Sequence, residues 1–109
     1  MELQSQQLET VLTTHRLQPI VVPISTFAPE PFSLRETMWA VVQAVEDAFV
    51  ATFFDANIST SGDTQEEAIA NLKDLILDIY LDLEREPEER LGPEPKRQQA
   101  VLQSLIRRN

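Results

Sequence analysis

Two aspartates come nearest to a catalytic pair in this sequence. Asp55 follows a strand-like segment and Asp63 precedes a helical one, so both could stand beside a sheet and bind the metal ions of a nuclease. Each also has a structural explanation. Asp55 suits a turn in which its side chain accepts backbone N–H groups, and Asp63 suits the positive end of a helix dipole. We favour the structural explanation and predict no metal site here.

Other side chains capable of chemistry are few. The single histidine, His15, lies in a polar N-terminal segment with no catalytic partner nearby in the sequence. The chain has no cysteine, which excludes disulfides, thiolate nucleophiles and cysteine-based metal sites. The sequence therefore predicts a protein that is not an enzyme, with no catalytic residues, no metal and no cofactor.

The 109-residue chain has a formal net charge of −9, and that charge is unevenly distributed. Residues 46–94 contain 14 acidic side chains against three basic ones. Residues 96–109 contain no acid and four basic side chains: Lys96, Arg97, Arg107 and Arg108. Residues 46–94 therefore form an acidic body, which repels nucleic-acid phosphates and attracts a basic protein. The same negative charge can also be explained by solubility alone.

Four segments are typical of strands. Residues 19–26 are β-branched but contain prolines, which lack a ladder donor, so we expect an edge or broken strand there. Residues 36–46 and 48–54 alternate like a hairpin, and residues 57–61 follow as a third antiparallel strand. We expect residues 27–32 to be an extended connection, because each proline disfavours helix at the residue before it.

Apolar residues occupy both faces of the predicted hairpin. Trp39, Val41 and Val45 alternate with Met38, Ala40, Val42 and Ala44. If Val50 and Phe54 point away from the helix, they leave an apolar face that one helix cannot cover. We therefore expect a homodimer or higher homo-oligomer, with a second chain or residues 19–32 over that face.

A long helix is the clearest element of the pattern. Thr64 and Glu67 have the spacing of a capping box, and a positive φ at Gly62 would make Gly62→Val damaging. Pro87 and Leu91-Gly92-Pro93 should end the helix. Its buried stripe recurs at three- and four-residue spacing: Ala68, Ile69, Leu72, Leu75, Ile76, Ile79, Tyr80 and Leu83.

These elements predict an α+β fold, with a three- to four-stranded, mainly antiparallel sheet packed by one long helix. We divide the chain into a flexible N-terminal arm (1–18), an α+β domain (19–86) and a linker with a short second helix at 96–108 (87–109). No apolar stretch is long enough to span a bilayer, and the N-terminus lacks the pattern of a secretory signal, so we expect a cytoplasmic protein.

The residues around the strand-to-helix join resemble the HicB-type antitoxin domain. That family shows a hydrophobic strand ending in an aromatic residue and Asp, a short strand, Gly-Asp-Thr, and a helix beginning Glu-Glu-Ala with an Asn three residues later. The same order appears here as Phe53-Phe54-Asp55, Ile58 to Ser61, Gly62-Asp63-Thr64, Glu66-Glu67-Ala68 and Asn71. The similarity covers about residues 38–84.

The resemblance implies a truncated ribonuclease-H-like fold without nuclease chemistry. It also implies binding and neutralising a small basic HicA-like toxin that cuts RNA with a histidine, and the acidic body is consistent with such a partner. We expect the interface to include six polar or acidic side chains: Asp55, Asn57, Asp63, Glu66, Asp74 and Asp78.

Two features depart from the family pattern. The 26 residues after Leu83 contain three prolines and no strand followed by two helices, so a complete DNA-binding module is not expected. Ala56-Asn57 also stands where family members often have Pro-Gly. Two other functions remain open: a free-standing, self-associating regulatory or structural module, and a transcriptional regulator that binds DNA through the C-terminal basic residues.

Overall fold

The computed structural model describes residues 18–109, so His15 and nearly all of the predicted N-terminal arm lie outside the described residues. The helices are α1 (Gln65–Arg85) and α2 (Pro93–Leu105), and two short 3₁₀ turns cover Phe54–Ala56 and Glu88–Arg90. The strands are β1 (Ile20–Ile24), β2 (Phe32–Leu34), β3 (Met38–Val45), β4 (Ala48–Phe53), β5 (Ile58–Gly62) and β6 (Ile106–Arg108).

The predicted α+β fold is confirmed. Four strands form an antiparallel sheet in the order β1-β3-β4-β5, α1 packs against it, and the shorter α2 follows near the C-terminus. A second, two-stranded antiparallel sheet joins β2 to β6 and was not predicted. Its three-residue strands are too short to show a two-residue period, so the sequence pattern does not reveal them.

Strand β1 lies at the edge of the sheet, as its prolines predicted. Pro23 lies opposite Trp39 of β3, and among the strands of residues 18–109 only β3 neighbours β1. An edge position tolerates proline because one row of backbone groups needs no ladder partner.

Strands β3 and β4 form the predicted hairpin through the two-residue turn at Glu46 and Asp47. Within this turn the residue with a positive φ is Glu46, at 44°. A side chain in the left-handed region costs roughly 1–2 kcal/mol, which the eight-residue strand on one side and the six-residue strand on the other offset.

Helix α1 supplies one side of the core. Ala68, Leu72 and Ile76 of the predicted stripe are fully buried, and Leu77, which the stripe did not include, is buried as well. Each buried Leu or Ile contributes roughly 1.5–3 kcal/mol of transfer free energy. From the sheet, the side chains facing α1 include Met38, Ala40, Val42, Ala51, Phe53 and Ile58.

The C-terminal helix is present with different bounds. It begins at Pro93, a residue whose fixed φ suits the first turn, and it ends at Leu105 instead of 108. The chain then extends because Ile106 pairs with Leu34 in the small sheet. Leu102, Leu105 and Ile106 belong to the same buried cluster as α1 and the main sheet.

Residues 27–32 run beside α1. Phe27 and Phe32 are buried, and the Phe32 ring meets Tyr80 of α1 edge-on with ring centroids 6.0 Å apart. This segment is therefore part of the helix-covered side of the molecule. Among the described residues, no helix combines the length and apolar character needed to cross a membrane.

Candidate functional site

Gly62 lies where β5 turns into α1. The expectation of a positive φ at Gly62 is wrong, because neither glycine of the described chain has one. Position 62 requires glycine because there is no room for a side chain. A Cβ on Gly62 would collide with the backbone nitrogen of Ala68 and stand 2.8 Å from the carbonyl carbon of Glu67. The first turn of α1 thus packs directly on the end of β5.

Two polar side chains hold this join. The Thr64 hydroxyl accepts a hydrogen bond from the Glu67 backbone N–H at 3.0 Å, which caps α1. The Asn71 side-chain amide donates to the Ser61 carbonyl oxygen at 2.9 Å and ties the second turn of α1 to β5. Thr64, Glu67 and Asn71 therefore have structural positions at the join.

The turn before β5 is held by α2. The carbonyl oxygen of Asp55 accepts a hydrogen bond from Arg97 Nη1 at 2.6 Å, and that of Ala56 accepts one from Gln98 Nε2 at 2.8 Å. Asn57 ends the turn with a φ of 54°, a left-handed conformation that asparagine tolerates well. Asp55 thus contributes to the turn through its backbone carbonyl.

Arg97 is itself positioned by Glu94. Its Nη2 and Nε atoms donate to the two carboxylate oxygens of Glu94 at 2.7 and 3.2 Å. That hydrogen bonding, chiefly from Arg97, lowers the pKa of the Glu94 carboxyl below its usual value.

The six residues expected at a partner interface fall into three separate pairs. Asp55 and Asn57 precede β5, whereas Asp63 and Glu66 follow it, and the five residues of β5 span roughly 16 Å. Asp74 and Asp78 lie farther along α1, one turn apart on one exposed face. The same separation keeps Asp55 and Asp63 from forming the carboxylate pair considered above.

The third pair borders a groove between α1 and residues 27–32. One part, about 330 Å³, is lined by Glu30, Phe32, Asp74, Leu77, Asp78 and Leu81. A neighbouring part of about 160 Å³ shares Glu30, Asp74 and Leu77 and extends toward Phe27, Pro29 and Lys73. We call this combined surface the acidic groove, since three carboxylates stand above an apolar floor.

Glu30 and Phe32 of the acidic groove were not predicted as site residues. Both fall in a segment whose prolines indicate only an extended connection. Their proximity to Asp74 and Asp78 depends on that connection returning to α1, which no local pattern indicates. The only sequence signal was that this proline-containing segment combines two phenylalanines, Phe27 and Phe32, with the acidic residue Glu30.

The C-terminal basic residues are mostly neutralised by acids. Lys96 lies 3.5 Å from Glu88, Arg97 lies 2.7 Å from Glu94, and Arg108 lies 2.9 Å from Glu84. The Arg108 guanidinium also stands 5.5 Å from the centre of the Phe32 ring. These contacts attach α2 and β6 to the acidic body and leave little concentrated positive charge.

Within residues 18–109, no group of three or more His, Cys, Asp or Glu side chains is placed to hold a metal ion. Comparisons of this chain with protein-family models, with curated proteins and with solved structures found no match.

Proposed function

We propose that this chain is a non-catalytic, HicB-like antitoxin-type protein of the cytoplasm, which binds and neutralises a small basic RNA-cleaving toxin. The observation that carries the proposal is the acidic groove, in which Glu30, Asp74 and Asp78 border apolar side chains. The order of residues around the β5–α1 join, shared with the HicB-type family, supports the same function.

The groove suits an amphipathic, basic segment. Leu77 and Leu81 offer an apolar floor to one face of such a segment, and Asp74 and Asp78 repeat at the spacing of one helical turn. Exposed ion pairs contribute only about 0.2–1 kcal/mol each, so stable binding requires several such pairs together with apolar contacts. The carboxylates would then set the orientation and the association rate.

Neutralisation would result because this chain and RNA compete for the same basic surface of the toxin. A protein that cleaves RNA holds the phosphate backbone with basic side chains. An acidic protein seated on those side chains excludes RNA without any chemistry of its own. Acidic residues outside the groove, including Asp63 and Glu66 near the start of α1, would add long-range attraction for the basic toxin.

The test begins with the tagged chain recovered from its native cells, followed by mass spectrometry of the proteins that accompany it. We expect one small, basic protein in stoichiometric amount, whose RNA cleavage stops when the chain is added. The double variant Asp74→Lys, Asp78→Lys should lose this partner, because it reverses charge at the groove.

The matched control is Asp82→Lys, Glu89→Lys, which makes the same change in net charge at two exposed positions outside the groove. It should retain the partner. Equal loss in both double variants would show that net charge alone, and not the groove, is recognised. Recovery of no basic protein would contradict the antitoxin proposal and favour the self-associating module.

DNA binding has weaker support. Lys96, Arg97 and Arg108 contact carboxylates of the same chain, so binding DNA would require breaking those pairs against an overall charge of −9. DNA binding at low salt that falls steeply as salt is added would nevertheless favour the regulator.

A further inference from the structure

The face of the main sheet opposite α1 is uncharged, and its part on β1, β3 and β4 is mainly apolar and at least partly exposed. Val21, Trp39, Val41, Val50 and Thr52 lie on this face in neighbouring register positions of β1, β3 and β4. Val21 is 60% exposed and Trp39 58% exposed. We call this surface the open face.

Two observations limit what can cover the open face. Residues 19–32, one of the two covers expected from the sequence, are placed elsewhere: β1 forms the sheet edge, and Phe27 and Phe32 pack on the α1 side. In addition, every residue that the register places on the open face is uncharged. A basic partner would find no carboxylate within it, and burying unpaired charge is costly.

We infer that the open face is a self-association surface, and that its occupant is the same face of a second copy of this chain. A neutral, apolar surface is self-complementary under a two-fold axis, which gives the isologous contact of most homodimers. Two chains of net charge −9 can approach there without placing a carboxylate against a carboxylate inside the contact.

The size of the face limits the area that this contact can bury. Four strands spaced about 4.8 Å apart, with five to eight residues at about 3.3 Å each, give a flat footprint of roughly 400 Å². Because side chains protrude, two copies bury on the order of 1,000 Å², the lower limit of a specific interface. Interfaces at this lower limit are commonly transient, so we expect the dimer to dissociate on dilution.

Salt should distinguish this dimer from toxin binding. The two copies repel each other through their net charge, and salt screens that repulsion, so added salt strengthens the dimer. Binding of a basic partner to the acidic groove weakens under the same change. The inference does not depend on a toxin, because the groove and the open face lie on opposite sides of the sheet.

Trp39, the only tryptophan, makes the test direct. The full chain is diluted in series while sedimentation gives its mass and acrylamide quenching gives the accessibility of Trp39. We expect dimer mass and protected Trp39 at high concentration, monomer mass and accessible Trp39 at low concentration, and a tighter dimer at high salt.

The variant Val21→Glu keeps Trp39 and places two unpaired carboxylates in the contact. It should raise the dissociation constant on the order of 100-fold. The control Gln103→Glu adds the same charge at an exposed position of α2 and should dimerise like the parent chain. Circular dichroism melting of both variants checks that the fold is retained.

Three results would overturn the inference. A monomer with accessible Trp39 at all concentrations would show that the open face has no partner. A monomer with protected Trp39 would show that another part of the same chain covers it. A dimer that survives Val21→Glu in a folded protein would show that the contact lies elsewhere.

Discussion

On strand β3 the two faces of the main sheet carry similar apolar residues but have different surroundings. On β3 the residues pointing to α1 are Met38, Ala40 and Val42, and those pointing away include Trp39 and Val41. Composition alone does not distinguish the two sets. The difference arises because one 21-residue helix can cover only one side of a four-stranded sheet. An apolar strand face alone therefore does not establish that the face is buried, because burial also depends on how many elements cover it.

Phe53 and Phe54 give this comparison its largest test, because they are adjacent and differ in burial. Phe53 is 1% exposed and Phe54 is 65% exposed. Phe53→Ala removes a core side chain and should lower the free energy of unfolding by about 3–5 kcal/mol. Phe54→Ala should change it by less than about 0.5 kcal/mol. Urea unfolding of both variants at one low protein concentration measures the difference.

Low concentration matters in that experiment because self-association would add stability to the parent chain. Equal losses in the two variants would mean that Phe54 is also buried in the monomer. The difference in exposure between Phe53 and Phe54 would then not correspond to a difference in packing.

Gly62 and Gly92 provide the next largest effect, at the join that sets α1 on the covered side. Gly62→Ala places a Cβ against the backbone of α1 and should cost about 1–3 kcal/mol, as overpacking does. Gly92→Ala is the matched control, since the nearest atom to its added Cβ, Pro95 Cδ, is at an ordinary 3.9 Å. Thermal unfolding of the pair should show a clear loss for the first variant only. Equal melting temperatures would mean that α1 does not pack this closely on β5.

Much of the fold could be predicted because it depends on local signals. The alternation in residues 38–53 determines which side chains share a face, and the Thr64 hydroxyl marks the start of α1. Strands β2 and β6 could not be predicted in the same way. Leu34 pairs with Ile106, so this contact joins distant segments, and each strand is too short to carry a period.

The candidate site was less accessible to sequence reasoning than the fold. Asp74 and Asp78 could be placed on one face of α1 by their spacing alone. Glu30 could not be joined to them, because its position depends on the packing of Phe27 and Phe32 against α1. The sequence also could not show why position 62 is glycine. Close packing of α1 on β5 and a positive φ both require glycine, so the residue type alone does not distinguish them.

The smallest predicted effect concerns Glu94, which helps to hold the 3₁₀ turn that begins at Phe54, directly after Phe53. Arg97 donates to both Glu94 and the Asp55 carbonyl, so the ion pair braces the point where the chain leaves the sheet. Hydrogen bonding from Arg97 lowers the pKa of Glu94 in the folded chain. The unfolded chain therefore binds this proton more readily, and the stabilisation is present at neutral pH and is lost as pH falls through the lowered pKa.

Glu94→Gln should thus melt at a lower temperature than the parent chain near neutral pH, and the two melting temperatures should converge only in acid, below the lowered pKa of Glu94. The difference should be smaller than either effect above because both partners are exposed to solvent. Glu89→Gln, an exposed glutamate in the turn before α2, serves as the control for the loss of one charge. A melting difference that persists unchanged into acid would show that the Glu94–Arg97 pair does not brace the turn, and that α2 is held to the sheet by its apolar residues alone.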